Sequence, residues 1–75
     1  MEEQIRDILS NILDEDFSYS GEDMFEDGIL DSIEMMELVT DMEKEFNIEI
    51  EAEDIIPENF KTIGTIVEMI YKYKS

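Results

Sequence analysis

Seventy-five residues carry 22 acidic and 5 basic side chains, a formal net charge of −17, with no Cys, no His, no Trp and 43% hydrophobic residues. A chain this short supports one domain, residues 1–75, because a second core would bury too little apolar surface to offset chain entropy. The charge opposes binding to nucleic-acid phosphates or anionic membranes, and the missing Cys and His remove disulfides, thiolate nucleophiles, zinc-finger spacings and the usual general base.

From Glu2 to Leu13, Ile5, Ile8, Leu9, Ile12 and Leu13 recur at i, i+3, i+4, i+7 and i+8, which predicts an amphipathic helix. It ends at Asp14-Glu15-Asp16, where Ser18, Ser20, Gly21 and Gly28 mark a long loop. Loops of this length in small domains are functional or pinned by their own apolar residues, here Phe17, Met24, Phe25 and Leu30. Asp31 then caps a second long helix running to Phe46, with Glu34 placed for a capping box. Asn47 to Glu51 alternates apolar and polar residues and reads as an extended link. Ala52 to Ile56 reads as a short third helix halted near Pro57. Thr62 caps a last helix whose inner face is Ile63, Ile66, Val67 and Ile70, with Lys72 and Lys74 at the end that favours cations. The expected fold is all-α: a four-helix bundle of three long helices and one short helix, with a long loop between helices 1 and 2. Its core draws on these inner faces together with Met35, Leu38, Val39, Met42, Phe46, Ile48 and Ile50.

The second helix has two apolar faces. With Glu34 at zero and about 100° per residue, Met35, Val39, Met42 and Phe46 span about 80–140°, with Leu38 near about 40°. Ile33, Met36 and Thr40 fall at about 200–260°, away from that core face, and so are expected at the surface. Glu34, Glu37, Asp41 and Glu45 rim this strip on one side and Glu43 on the other, while Ser32 opens it. Each piece alone is ordinary: exposed apolar residues are common, acidic faces are solvated, and Ser often caps a helix. Together they offer a partner an exposed hydroxyl, an apolar contact and an electrostatic guide.

The segment Gly28-Ile29-Leu30-Asp31-Ser32-Ile33, followed by Glu37-Leu38-Val39 and by Glu43-Lys44-Glu45-Phe46-Asn47-Ile48-Glu49-Ile50, resembles the acyl, D-alanyl and peptidyl carrier proteins. The likeness extends through Phe60-Lys61-Thr62-Ile63 and covers nearly the whole chain, implying an acyl-carrier-protein-like fold. It implies that Ser32 receives 4′-phosphopantetheine from coenzyme A through a separate magnesium-dependent transferase, and that Asp31 assists recognition. The protein would then be a non-catalytic holder, the reactive thiol being the cofactor's, with the acyl or aminoacyl group carried as a thioester. Ile33, Glu34, Met36, Glu37, Asp41 and Glu43 would form the partner surface. The implied partners are the phosphopantetheinyl transferase, an acyl- or aminoacyl-loading ligase, and a downstream transferase or synthase with basic docking patches. Two positions depart from the family pattern: Ile33 where Leu or Met is common, and Lys44 where fatty-acid carriers often have an acid. Gly28 to Ser32 is nearer the Gly-Leu-Leu-Asp-Ser form of D-alanyl and other aminoacyl carriers than the Leu-Gly-Ala-Asp-Ser form of fatty-acid synthesis, so the cargo leans to aminoacyl or specialised acyl.

Other classes fit less well. An EF-hand starting at Asp14 puts Tyr19 at the glycine position, and one starting at Asp23 puts Phe25 at a ligand position, so no metal site is expected. An acidic cofactor-free module mimicking nucleic acid would spread its charge broadly, whereas Asp14–Glu58 holds eighteen acids and one base while the two ends cancel. The acidic N-terminus is unlike a signal peptide and no apolar run approaches the length of a membrane span, so a monomeric cytoplasmic protein is expected, with no nucleic-acid partner and no membrane insertion.

Overall fold

The computed structural model describes residues 1–74. Among these, three α-helices form the frame: α1 (Glu2–Leu13), α2 (Ser32–Phe46) and α3 (Ile63–Lys74). Two 3-10 turns, Ala52–Asp54 and Pro57–Phe60, lie between α2 and α3, and no strand is present among the described residues. The radius of gyration, 11.2 Å, matches the value of about 11 Å expected for a compact domain of this length. Apolar burial therefore holds the chain together against its charge.

The helices end where local chemistry stops them. Asp14 adopts the left-handed conformation (φ 56°, ψ 39°), and its N–H donates to the Ser10 carbonyl. Asn47 closes α2 in the same way (φ 55°, ψ 51°), its N–H donating to the Glu43 carbonyl. Asp and Asn tolerate this region better than other non-glycine residues. The α3 N-terminus is tied reciprocally: Thr65 N–H donates to Thr62 Oγ1, and Thr62 N–H donates to Thr65 Oγ1, both at 3.2 Å.

The core is one cluster. Ile5 and Leu9 from α1 meet Met35, Leu38, Val39, Met42 and Phe46 from α2 and Ile63, Ile66, Met69 and Ile70 from α3. Phe60 is completely buried although it lies in the second 3-10 turn, where a turn of four residues shows no periodicity to betray it. Met69 is buried too, and Ile8, Ile12, Ile48 and Val67 pack at the core's edge rather than within it. Truncating a fully buried aromatic costs about 3–5 kcal/mol, which makes Phe60 one of the costliest positions in a domain with few core residues.

The short third helix expected over Ala52–Ile56 is instead two separate 3-10 turns. Pro57 does not merely stop a helix; it starts the second turn, where its missing N–H costs nothing and its fixed φ is suitable. It also forces Ile56 into extended geometry (φ −131°, ψ 149°), which breaks the segment in two. This connector is strapped to α3. Tyr73 donates its hydroxyl proton to Asp54 and accepts from the Glu51 N–H at 3.1 Å, while Lys72 Nζ lies 3.5 Å from Asp54 Oδ1. Asn59 Nδ2 donates to the Asp54 carbonyl at 2.8 Å, and Thr65 Oγ1 donates to the Asn59 carbonyl at 3.0 Å.

The Tyr73 hydrogen bond, helped by the Lys72 charge, holds the Asp54 pKa below the ordinary carboxylate value, whereas a hydrogen bond with Glu53 and the nearby acids raise that of Glu51. Stabilisation from Asp54 is therefore present above the ordinary carboxylate range and is lost as pH falls through its depressed pKa. The pKa of Glu51 is raised in the fold, so its protonation relieves repulsion as pH falls through that raised value, above the window in which Asp54 is lost. The expected thermal midpoint accordingly rises as pH is lowered from 7 toward the ordinary carboxylate range, rises with added salt at pH 7, and falls again in stronger acid. Asp54→Asn should lower the midpoint at pH 7 and flatten the acid-side fall; a melting series by circular dichroism across pH and salt checks both.

Candidate functional site

The site is built on the start of α2 and on the loop that delivers the chain to it. The near end of that loop is fixed on α1: Phe17 N–H donates to Ser10 Oγ at 3.0 Å, and the Arg6 guanidinium sits 5.8 Å from the Phe17 ring centroid. Asp23 Oδ1 then accepts from the N–H groups of Phe25 and Glu26 at 3.0 and 3.1 Å, shaping a single turn. Tyr19 braces this turn by donating to Asp27 Oδ2 at 2.6 Å and accepting from Asp23 N–H at 2.8 Å. A Cβ on Gly21 would collide with the Tyr19 hydroxyl, so this close approach requires glycine. Gly28 leaves the turn at φ 74°, which glycine adopts at no steric cost.

Met24 joins this loop to the rest of the fold. Its side chain is fully buried, its N–H donates to the Lys61 carbonyl at 2.8 Å, and its carbonyl accepts from Ile29 and Leu30 at 2.8 and 3.2 Å. Leu30 is buried beside it in the core cluster. The pinning role expected of Met24 and Leu30 is what the structure shows.

Asp31 is the N-cap of α2 with extended geometry (φ −111°, ψ 179°). Its Oδ1 accepts from Glu34 N–H at 2.8 Å, and Glu34 Oε1 accepts from Asp31 N–H at 3.0 Å, completing the capping box. Ser32 is therefore the first helical residue, exposed, with its position set by a doubly bonded cap on one side and buried Leu30 and Met35 around it. Its hydroxyl takes no part in a side-chain hydrogen bond among the described residues, because Asp31 has taken the capping role. The positive end of the α2 dipole is already met by the Asp31 and Glu34 carboxylates, while the Ser32 side chain stands free at the surface beside them. The exposed hydroxyl leaves Ser32 open to covalent attachment of a group that lies outside the bundle.

The strip beyond Ser32 is exposed as its angular position predicts: Ile33 to 72% and Met36 to 49%. The acidic rim divides into two kinds of residue. Glu34 is held in the capping box, and Glu43 Oε2 accepts from Ile50 N–H at 2.9 Å, fixing the link that leaves α2. Glu37 and Asp41 have no side-chain hydrogen bond or ion pair among the described residues; Glu37 is exposed and Asp41 half-buried, so neither carboxylate is committed to the scaffold. Glu45, on the α1 side, accepts from Gln4 Nε2 at 3.0 Å.

Two further exposed apolar residues lie outside the strip as read from sequence: Ile56 at 38% and Tyr71 at 58%. In the sequence pattern Ile56 ends a short helix, with no exposed face assigned to it. The signal was Pro57, which forces the preceding residue into extended geometry and turns it outward from any helical register. Cavities of about 600 and about 390 Å³ both lie at the surface, lined by charged residues such as Glu58, Lys61, Glu68 and Lys72 in the larger and Glu3, Arg6, Asp7 and Asp16 in the smaller. No helix is long and apolar enough to cross a membrane among the described residues.

Residues 3–70 match the family described as "Phosphopantetheine attachment site". The chain is 35% identical to a D-alanyl carrier protein of Leuconostoc mesenteroides subsp. mesenteroides, over 93% of its own length and 91% of the relative's. It is also 35% identical to a D-alanyl carrier protein of Streptococcus uberis, over 91% of this chain and 87% of the relative. A D-alanyl carrier protein of Streptococcus pyogenes serotype M1 matches at 30% over the same shares. No solved structure matches.

Asp31→Ala removes the bond to Glu34 N–H and frees the first turn of α2, with an expected cost of about 1 kcal/mol. Asp31→Asn should keep most of that stability, since an amide oxygen caps nearly as well. Urea melts of the two variants check this, and equal losses in both would show that the carboxylate charge, rather than the cap, holds the turn.

Proposed function

The chain belongs to the phosphopantetheine attachment site family of non-catalytic carriers, and we propose that it acts as a one-domain carrier over residues 1–75, with Ser32 as the attachment residue. The observation that carries this reading is the exposed Ser32 hydroxyl at the first position of α2, left free because Asp31, bonded reciprocally with Glu34, takes the capping role.

The geometry supports the following roles. Ser32 offers its Oγ to the pyrophosphate of coenzyme A in the site of a separate transferase; the Ser Oγ–phosphorus bond forms, the bond to adenosine 3′,5′-bisphosphate breaks, and the Ser proton passes to the transferase's base. Ser32 would hold the phosphodiester at the start of α2, where the Asp31–Glu34 cap fixes the position of its backbone. When bound, the arm supplies the thiol that holds cargo as a thioester. Ile33 and Met36 offer partner enzymes an apolar contact beside the arm, and Glu37 and Asp41 steer basic docking patches toward it. Asp31, Glu34 and Glu43 serve this surface by holding its shape.

Relatives named as D-alanyl carrier proteins, together with the Gly28-Ile29-Leu30-Asp31-Ser32 segment, favour an aminoacyl cargo over the long acyl chains of fatty-acid synthesis. The partners in this reading are a phosphopantetheinyl transferase, an amino-acid-activating ligase and a downstream acceptor, each with a basic docking patch.

Incubation of the apo-protein with coenzyme A, magnesium and a broad-specificity phosphopantetheinyl transferase should add one arm by intact mass, and Ser32→Ala should abolish the addition. Met36→Ala should leave the fold intact and raise the KM of the transferase for the protein about three- to tenfold, the cost of a partly buried apolar contact. An unmodified wild-type chain, or a Ser32→Ala chain still modified, would refute the assignment.

A further inference from the structure

Between Asp14 and Glu58 the chain holds eighteen acids and a single base, Lys44, and that base lies on the exposed strip of α2. Eleven residues make three helical turns plus about 20°, so Lys44 stands almost directly in line with Ile33, about 16 Å farther along the helix. Between them lie Met36 and Thr40, flanked by exposed Glu37 and half-buried Asp41. Lys44 is exposed. Among the described residues the ion pairs are Arg6–Glu2 and Lys72–Asp54, so Lys44 is left unpaired even with Asp41 three residues before it. The nearby acids Glu43 and Glu45 are engaged elsewhere, with Ile50 N–H and Gln4. A lysine near a helix C-terminus complements the dipole, but that role needs no particular face.

We propose that Lys44 is a specificity-determining residue of the docking strip, and that the enzyme loading the arm presents a carboxylate where Lys44 lands. This deepens the carrier reading and rests on it. A partner surface basic along its full length would meet Glu37 and Asp41 favourably and then place a like charge against Lys44, which disfavours the complex. A matching partner is basic near the Ser32 end and acidic about 16 Å farther on. Such a dipolar pattern fixes the direction in which α2 lies on the enzyme, which a uniformly acidic helix would leave weakly determined. The partner is therefore a protein with an ordered sequence of contacts: an apolar recess for Ile33 and Met36, basic side chains for Glu37 and Asp41, then an acid.

The test uses the full chain with its arm attached and verified by mass. Thioester formation is followed with ATP, D-alanine and the amino-acid-activating ligase of the source genome. Lys44→Glu should raise the KM for the carrier about five- to tenfold with little change in kcat, and Lys44→Gln about two- to threefold. Both differences should shrink in about 0.5 M salt, as screening of an interfacial charge pair requires. An unchanged or lowered KM in Lys44→Glu overturns the proposal. So does a KM rise that is insensitive to salt and follows a lowered melting temperature in both variants, because that pattern assigns Lys44 to the helix end. Failure of the wild-type chain to accept the arm refutes the carrier reading itself, whereas a chain that accepts the arm but is never loaded with D-alanine refutes the aminoacyl cargo and this proposal together.

Discussion

The backbone of Met24 is the junction on which the arrangement of the site depends. Its N–H reaches the Lys61 carbonyl just before α3, and its carbonyl receives the N–H groups of Ile29 and Leu30 just before α2. One buried residue in the middle of a long loop thus ties the starts of two helices together. Were this loop held only at its ends, the residues before α2 would sample many conformations, and the exposed hydroxyl of Ser32 would have no fixed position relative to the bundle. The capping box acts after Met24 in this hierarchy: Asp31 and Glu34 define where the helix begins, while Met24 and Leu30 define where that beginning sits.

The rest of the structure is a balance between a small core and a large like charge. Fifteen buried apolar residues form one cluster, and no polar or charged side chain is buried among the described residues. Carboxylates are accordingly placed where water or a backbone N–H can reach them. Several are used structurally: Asp23 shapes the loop turn, Asp31 and Glu34 the start of α2, Glu43 its exit and Asp54 the strap to α3. Acidic side chains accept hydrogen bonds from backbone amides well, so an acid-rich sequence can satisfy many local N–H groups without Ser or Asn. The same carboxylates supply a field that favours basic partners.

Helix positions in the sequence were legible because α1 and α2 show clean apolar periodicity and chemically explicit ends. Asp31 followed by Glu34 announced a capping box that the structure contains, and the angular separation of Ile33 and Met36 from Met35 and Val39 announced which residues face solvent. The connector between α2 and α3 was less legible. Its turns are three and four residues long, too short for a period to emerge, so the break at Pro57, the burial of Phe60 and the exposure of Ile56 all depend on tertiary context. Met69 could have been read from its place beside Ile66 and Ile70 on α3. The strap of Tyr73 to Asp54 could not, since its partners are nineteen residues apart and on different elements. Hydrogen-bond commitments of Glu34 and Glu43 were likewise partly hidden: the first was implied by its spacing from Asp31, while the second requires the backbone of Ile50 to fold back onto α2.

That last pair has a consequence for how such a surface can diversify. Glu34 and Glu43 belong at once to the acidic rim of the exposed strip and to the hydrogen bonds that fix the two ends of the helix, so altering either changes two properties together. Glu37 and Asp41 carry no such obligation among the described residues and can drift toward a new enzyme while the scaffold stays intact. The helix therefore has fixed outer acids and adjustable inner ones. Paralogues built on this frame would be expected to part company first in the middle of α2, with divergence at its two ends delayed until another group takes over each backbone amide.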